Sequence, residues 1–223
     1  MRLIAHRGFA SNRPENTRRA IEEAAAIADA IEIDVRRCGS GELVVIHDDT
    51  VDRVTDGEGA VADHTLTELQ YLDVLGTGEG VPTLEAVLEA IPDTVGVNVD
   101  LKERGTEADA LRQLTASHPQ VVVASSDRDI LAACRDADPD VPRAYITDEE
   151  GTDGVEVAID LDCGYLHPSL SVCTDRVVTE AHRAGMSVNV WTVDTRSEAE
   201  ELADLGVDGV IADRWGVLPE VSP

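Results

Sequence analysis

The regular alternation of short β-branched runs with amphipathic segments constrains the fold of this chain more than any other feature. The runs predict eight strands, at residues 2–6, 30–35, 95–101, 120–125, 143–147, 163–167, 187–193 and 208–213. The segments between them include TRRAIEEAAAIA, TEADALRQLTA and RSEAEELADLG, and several begin after Thr and end before Gly, as capped helices do. Alternating strands and helices form right-handed βαβ units and a parallel sheet. Eight units in 223 residues predict an α/β fold, a compact (β/α)₈ TIM barrel.

The competing fold is a doubly wound open sheet. Such sheets usually carry a glycine-rich phosphate loop after the first strand, and the sequence IAHRGFASN at that point does not have its spacing. The barrel is therefore favoured, and we expect residues 1–223 to form one TIM-barrel domain.

One segment departs from the alternation. Residues 42–49, ELVVIHDD, follow the second predicted strand after only the turn CGSG, which is too short for a crossover helix. They should return as an extra antiparallel β-hairpin, with Glu32 almost opposite His47. Residues 50–80 then form a loop-rich insertion with one short helix around TLTELQYL. We expect this insertion to lie over the active face, since excursions of this length are usually functional.

The charge of the chain excludes some classes of partner. Its 45 acidic and 18 basic side chains give a formal charge of −27, which repels phosphate backbones and anionic membranes. We therefore expect a small-molecule substrate, no nucleic acid and no membrane insertion, with either a monomer or a homo-oligomer possible. An aromatic content of 3% and 17 arginines against one lysine are typical of a protein adapted to high salt, although an ordinary acidic protein is the alternative.

The cysteines and the beginning of the chain bear on its compartment. The four cysteines show no paired C-x-x-C spacing, so they predict neither a zinc knuckle nor a disulfide framework. The sequence opens directly on a strand, without an apolar stretch of signal-peptide length. We expect a soluble, cytoplasmic protein.

Acidic side chains recur at a spacing of two on neighbouring predicted strands. Glu32 and Asp34 share one face of a strand, and Asp100 and Lys102 repeat the pattern on the next parallel strand. Inward carboxylates are costly unless they are paired or hold a cation, so these three predict an oxygen-ligand site for a divalent cation such as Mg²⁺ or Ca²⁺. The alternative is a structural salt-bridge cluster with Arg7 and Lys102.

Imidazoles, cations and an indole are expected at the same end of the barrel. His6 and His47 end a strand and the hairpin, where TIM-barrel active sites lie, and imidazoles can move protons near neutral pH. Arg7 and Lys102 could bind an anionic substrate or simply neutralise the carboxylates; as the chain's single lysine, Lys102 is the more suggestive of a specific role. Trp191 could fill the core or contact an apolar, glycerol-like part of a substrate.

The ordered motifs AHRGFASNRPENTRRAI, IEIDVRRCGSGELVVIHDDTVDRVTDGEG, VNVDLK, LHPS, VNVWTVD and GVDGVIADRW resemble those of the glycerophosphodiester phosphodiesterases. The family consists of (β/α)₈ enzymes that hydrolyse glycerophosphodiesters to glycerol phosphate and an alcohol. The resemblance implies that His6 and His47 form an acid/base pair and that Arg7 and Lys102 bind phosphate. It also implies that Glu32 and Asp34 are metal ligands and that Glu15 and Asn16 support them. The sequence departs from the family pattern at Asp100, where the family usually has a glutamate. The identity of the metal and its distance from the strand that carries Asp100 are therefore open.

The resemblance leaves the mechanism and two rival functions open. Either histidine could act first, and the nucleophile could be water or a neighbouring glycerol hydroxyl that forms a cyclic phosphate. The first rival is a phospholipase-like phosphodiesterase, to which the negative charge and the single Phe are poorly suited. The second is a non-catalytic phosphoester-binding barrel, which would be expected to lack one of the two imidazoles.

Overall fold

Eight parallel strands close into a barrel in the computed structural model, which describes residues 1–218. The barrel strands are β1 (Arg2–His6), β2 (Ala30–Arg37), β4 (Gly96–Leu101), β5 (Val121–Ser125), β6 (Arg143–Thr147), β7 (Tyr165–Pro168), β8 (Ser187–Val193) and β9 (Gly209–Ala212). Closure is complete because β1 pairs in parallel with both β2 and β9. The predicted TIM barrel is confirmed; residues 219–223 of the predicted domain lie outside the described residues.

The extra hairpin is also present. Strand β3 (Leu43–Val45) pairs antiparallel with the end of β2, with Val35 opposite Val45. The backbone N–H of Ile46 then donates to the carbonyl of Asp34 at 3.0 Å. This register carries the chain back from the end of β2 to the level of Asp34, and His47 follows directly after Ile46.

Helices follow the strands around the outside of the barrel. They are α1 (Arg18–Ala25), α2 (Leu66–Tyr71), α3 (Leu84–Leu88), α4 (Glu107–Ser117), α5 (Arg128–Ala137), α6 (Asp153–Asp160), α7 (Asp175–Arg183) and α8 (Arg196–Leu205). The expected caps are found at several ends: the side chains of Thr17, Thr83 and Thr195 accept hydrogen bonds from first-turn N–H groups. Gly206 ends α8 in the left-handed conformation, at φ 80°.

Strand periodicity divides the barrel between an apolar outer layer and a polar interior. On β2, Ile31 and Ile33 join the large cluster that packs beneath the helices, whereas Glu32 and Asp34 line the barrel's cavity. Below these carboxylates, Ile4, Ala30 and Ile211 form a small apolar cluster. The sequence alternation therefore decides which side chains reach the cavity.

The insertion between β3 and α3 has an apolar cluster of its own. It contains a 3₁₀ helix, Val61–Asp63, and α2, and its cluster includes Cys38, Val44, Ile46, Val51, Val54, Val61, Leu69, Val74 and Val81. Because Cys38 and Val44 belong to the hairpin, the insertion is packed onto the β2–β3 hairpin. Among the helices of the described residues, none has the length and apolar character needed to cross a bilayer.

Candidate active site

Three carboxylates gather at the carboxyl ends of two adjacent strands. The parallel register sets Asp34 of β2 beside Asp100 of β4, and Glu32 lies one pleat below Asp34 on the same face. One oxygen from each of these residues lies within 4.8 Å of the others, and all three side chains are buried. The structure thus brings together the three predicted metal ligands, including Asp100.

Burial and mutual repulsion perturb these carboxyl groups in different directions. Burial, with the nearby charge of Asp34, raises the pKa of Glu32 to about 7. Burial also raises the pKa of Asp100. It opposes ionisation of Asp34 as well, but there the neighbouring Lys102 and Arg7 prevail and lower the pKa to about 2. The two neighbouring cations therefore favour the charged form of Asp34 but do not offset the burial of Glu32 and Asp100.

Two cations lie against the cluster. Nζ of Lys102 is 2.9 Å from Oδ1 of Asp34 and also contacts Asp100. Nε of Arg7 is 3.0 Å from Oδ2 of Asp34, and its Nη1 donates to Oε1 of Glu15 at 3.0 Å. Although burial alone would lower the pKa of Lys102, Asp100 and Asp34 raise it above its usual value, so the ammonium stays charged. Both cations therefore form ion pairs with the cluster and also line the cavity.

The loop after β1 holds Arg7 and Asn16 in an unusual backbone conformation. Arg7 and Asn16 lie in the left-handed region, at φ 50° and 56°, which residues other than glycine seldom adopt. In this conformation Nδ2 of Asn16 donates to Oδ2 of Asp34 at 2.9 Å, and the backbone N–H of Arg7 donates to Oε2 of Glu32 at 3.1 Å. Gly8 follows at φ 77°, where an added Cβ would meet Ala20 at 3.0 Å.

Each predicted imidazole is paired with an aspartate. Nδ1 of His6 lies 2.6 Å from Oδ1 of Asp213, and its Nε2 faces Oε2 of Glu32 at 3.9 Å. Nδ1 of His47 lies 2.6 Å from Oδ1 of Asp48. Burial would lower the pKa of His6, but the hydrogen bond to Asp213 raises it overall. Both rings line the same cavity as the carboxylates.

Sequence reasoning missed the two aspartates and Arg53, which bridges Asp48 to Glu15. The available signal was positional: Asp48 follows His47 directly, and Asp213 follows β9, so both stand at the active end of the barrel.

The cavity has a volume of about 310 Å³, and the rest of its wall is partly apolar. Trp191, Ile146 and Ile211 contribute apolar surface to its wall, and Nε1 of Trp191 donates to the carbonyl of His167 at 2.8 Å. His167 itself is buried, and burial lowers its pKa to about 3, so this third imidazole is neutral at physiological pH. Trp191 is thus placed both to fill the wall and to meet a ligand.

The carboxylate cluster fits a hard divalent cation. Its donors are all carboxylate oxygens, the type that Mg²⁺ and Ca²⁺ prefer. Oδ1 of Asp34 is buried and accepts no hydrogen bond from the described residues, although Nζ of Lys102 lies 2.9 Å away. The pKa of Glu32 is raised chiefly by burial and then by the charge of Asp34, and a bound cation would offset both effects.

Comparisons with known proteins agree with this geometry. Residues 6–217 match the sequence model of the glycerophosphoryl diester phosphodiesterase family. The chain is 34% identical to a glycerophosphodiester phosphodiesterase of Caldanaerobacter subterraneus over 95% of its own length and 93% of that protein's. It is also 34% identical to a putative glycerophosphodiester phosphodiesterase of Bacillus subtilis, over 96% and 94% of the two chains.

Solved structures are similar over nearly the whole barrel. A phosphodiesterase of Oleispira antarctica, in complex with the product sn-glycerol-3-phosphate, superposes with a TM-score of 0.89 at 30% identity, covering 97% of this chain and 95% of that one. A glycerophosphodiester phosphodiesterase of Agrobacterium tumefaciens gives 0.86 at 26% identity, covering 97% and 98%.

Proposed function

The chain belongs to the glycerophosphoryl diester phosphodiesterase family and is a phosphoric diester hydrolase, and from this premise we propose a metal-dependent reaction with histidine acid/base catalysis. In this proposal Glu32, Asp34 and Asp100 hold a divalent cation, Mg²⁺ or Ca²⁺, and His6 and His47 transfer the protons. The products are glycerol phosphate and an alcohol. The Oleispira antarctica phosphodiesterase with bound sn-glycerol-3-phosphate supports this choice of product.

The observation that carries the proposal is the convergence of three kinds of group on one cavity. Buried carboxylates, two cations and two imidazoles meet there, although the strands and loops that supply them are far apart in the sequence. A purely structural ion-pair cluster would account for the carboxylates and cations. It would not account for two imidazoles, each fixed at Nδ1 by an aspartate, so that Nε2 is left as the nitrogen for proton transfer.

The cations would bind the phosphodiester and stabilise its transition state. Arg7 presents a planar guanidinium that suits phosphate oxygens, whereas Lys102 acts as a point charge. Both stabilise the negative charge that grows on the phosphoryl oxygens during attack. When bound, a divalent cation supplies additional Lewis-acid polarisation of those oxygens.

The imidazoles account for the protons. One of His6 and His47 accepts a proton from the attacking hydroxyl as the new P–O bond forms. The other donates a proton to the departing alkoxide as the original P–O bond breaks, so that the alcohol leaves neutral. Trp191 would contact the glycerol carbons, and Glu15 and Asn16 would hold Arg7 and Asp34 in place for the reaction.

The proposal is tested with purified protein, added divalent cation and a panel of glycerophosphodiesters, with glycerol phosphate as the measured product. His6→Ala and His47→Ala should each abolish turnover. Binding of the divalent cation, measured by calorimetry, should stay largely intact in both variants. The matched control is His182→Ala, because His182 is also paired with an aspartate, at 2.9 Å, but lies on α7. Normal turnover in either active-site variant would refute the assignment.

A further inference from the structure

Arg53 of the insertion joins two loops of the active site through a shared ion-pair network. Its Nη1 and Nη2 donate to the two oxygens of Glu15, both at 2.8 Å. Its Nε and Nη2 donate to the two oxygens of Asp48, at 2.5 and 3.2 Å. One guanidinium therefore fixes the orientation of two carboxylates, one on the loop after β1 and one on the loop after β3.

Each of these carboxylates holds a group of the cavity. Oδ1 of Asp48 lies 2.6 Å from Nδ1 of His47, which leaves Nε2 of that ring for the cavity. Oε1 of Glu15 accepts from Nη1 of Arg7 at 3.0 Å. Arg53 thereby helps to orient the imidazole of His47 through Asp48 and the guanidinium of Arg7 through Glu15.

Electrostatics show why an arginine is needed at this point. The hydrogen bond from Arg53 is the main reason that the pKa of Asp48 is lowered. Burial favours protonation of Glu15, but Arg53 and Arg7 lower its pKa, so it stays ionised. In a chain of net charge −27, the two carboxylates would repel each other without Arg53, which would disturb the orientation of the groups they hold.

We propose that Arg53 is a positioning residue for the reaction, which sets His47 through Asp48 and Arg7 through Glu15 without touching the substrate. The inference rests on the proposed function, since His47 and Arg7 matter only if they serve catalysis. It also gives the insertion a role in the reaction, because the insertion supplies the residue that joins the two loops.

The test compares Arg53→Met, Arg53→Lys and a control, Arg104→Met, for kcat and KM on a glycerophosphodiester and for thermal unfolding. Arg104 is a suitable control because its guanidinium also bridges two carboxylates, Asp127 and Asp129, but does not line the cavity. We expect Arg53→Met to lose about 10- to 100-fold in kcat/KM per folded molecule, by analogy with the outer-shell partners of metal ligands. Arg53→Lys should be more active than Arg53→Met but less active than the wild type, because lysine lacks the forked guanidinium that binds two carboxylates.

A second measurement separates positioning from a general loss of structure. Guanidinium chloride, added far below unfolding concentrations, should restore activity to Arg53→Met several-fold and leave the wild type and Arg104→Met unchanged. The inference is overturned if Arg53→Met keeps kcat/KM within twofold of the wild type, or if its lost activity matches its lost folded fraction. If Arg53→Met does not fold, Arg53→Lys decides by the same criteria. An inactive wild type would instead refute the proposed function.

Discussion

Nζ of Lys102 lies 2.9 Å from Oδ1 of Asp34, and the same ammonium also contacts Asp100. The only lysine of the chain thus sits between two of the three carboxylates of the candidate metal site. A compact ammonium on a flexible stem can contact both carboxylates and still face the cavity. A guanidinium is larger and planar, and it would have to displace one of them.

We therefore predict that Lys102→Arg loses about tenfold or more in kcat/KM although the charge is kept, and that Lys102→Met loses about a hundredfold. Steady-state kinetics on a glycerophosphodiester, with activity expressed per folded molecule, measures both effects. Full activity in Lys102→Arg would show that the choice of lysine is accidental.

The fold was predictable because its signals are local. The β-branched runs mark the strands, and the short turn CGSG forces an antiparallel return after β2. Glu32 and Asp34 are two residues apart and therefore share one face of β2. The register of β2 with β4 then brings Asp100 into the same cluster.

The partners of the imidazoles were not predictable in the same way. His6 and Asp213 are 207 residues apart in sequence and meet only because the barrel closes between β1 and β9. In a chain with 45 acidic residues, one more aspartate at a strand end does not stand out. The left-handed backbone of Arg7 also has no sequence signal, because an arginine rarely adopts it.

The pair formed by His6 and Asp213 leads to a second prediction. Asp213→Asn keeps the size of the side chain but removes the charge that fixes and stabilises the ring, so kcat should fall by about a hundredfold. Steady-state kinetics measures the loss, and His182→Gln serves as the control because it breaks a similar pair on α7. Equal activities of the two variants would show that the pair does not serve the reaction.

The perturbed Glu32 leads to a prediction on pH. In the folded, metal-free protein Glu32 keeps its proton up to about pH 7, whereas in the unfolded chain it ionises near 4.5. Between these values the folded state binds more protons, so a rise in pH favours unfolding. Glu32→Gln cannot ionise, and its free energy of unfolding should therefore rise relative to that of the wild type as the pH increases from about 4.5 to 7.

Denaturant unfolding of both metal-stripped proteins across this pH range measures the difference. Titrating groups far from Glu32 contribute equally to both proteins and cancel in this difference. A difference that is independent of pH would contradict the raised pKa of Glu32.

The most direct test of the account is the activity of metal-stripped protein before and after the return of a divalent cation. We predict that chelation abolishes glycerol phosphate release and that Mg²⁺ or Ca²⁺ restores it in the wild type. Asp34→Asn, which keeps the shape of a buried ligand but removes its charge, should not be restored at the same concentration. Undiminished hydrolysis by the stripped wild type would contradict the claim that the carboxylate cluster holds a catalytic cation.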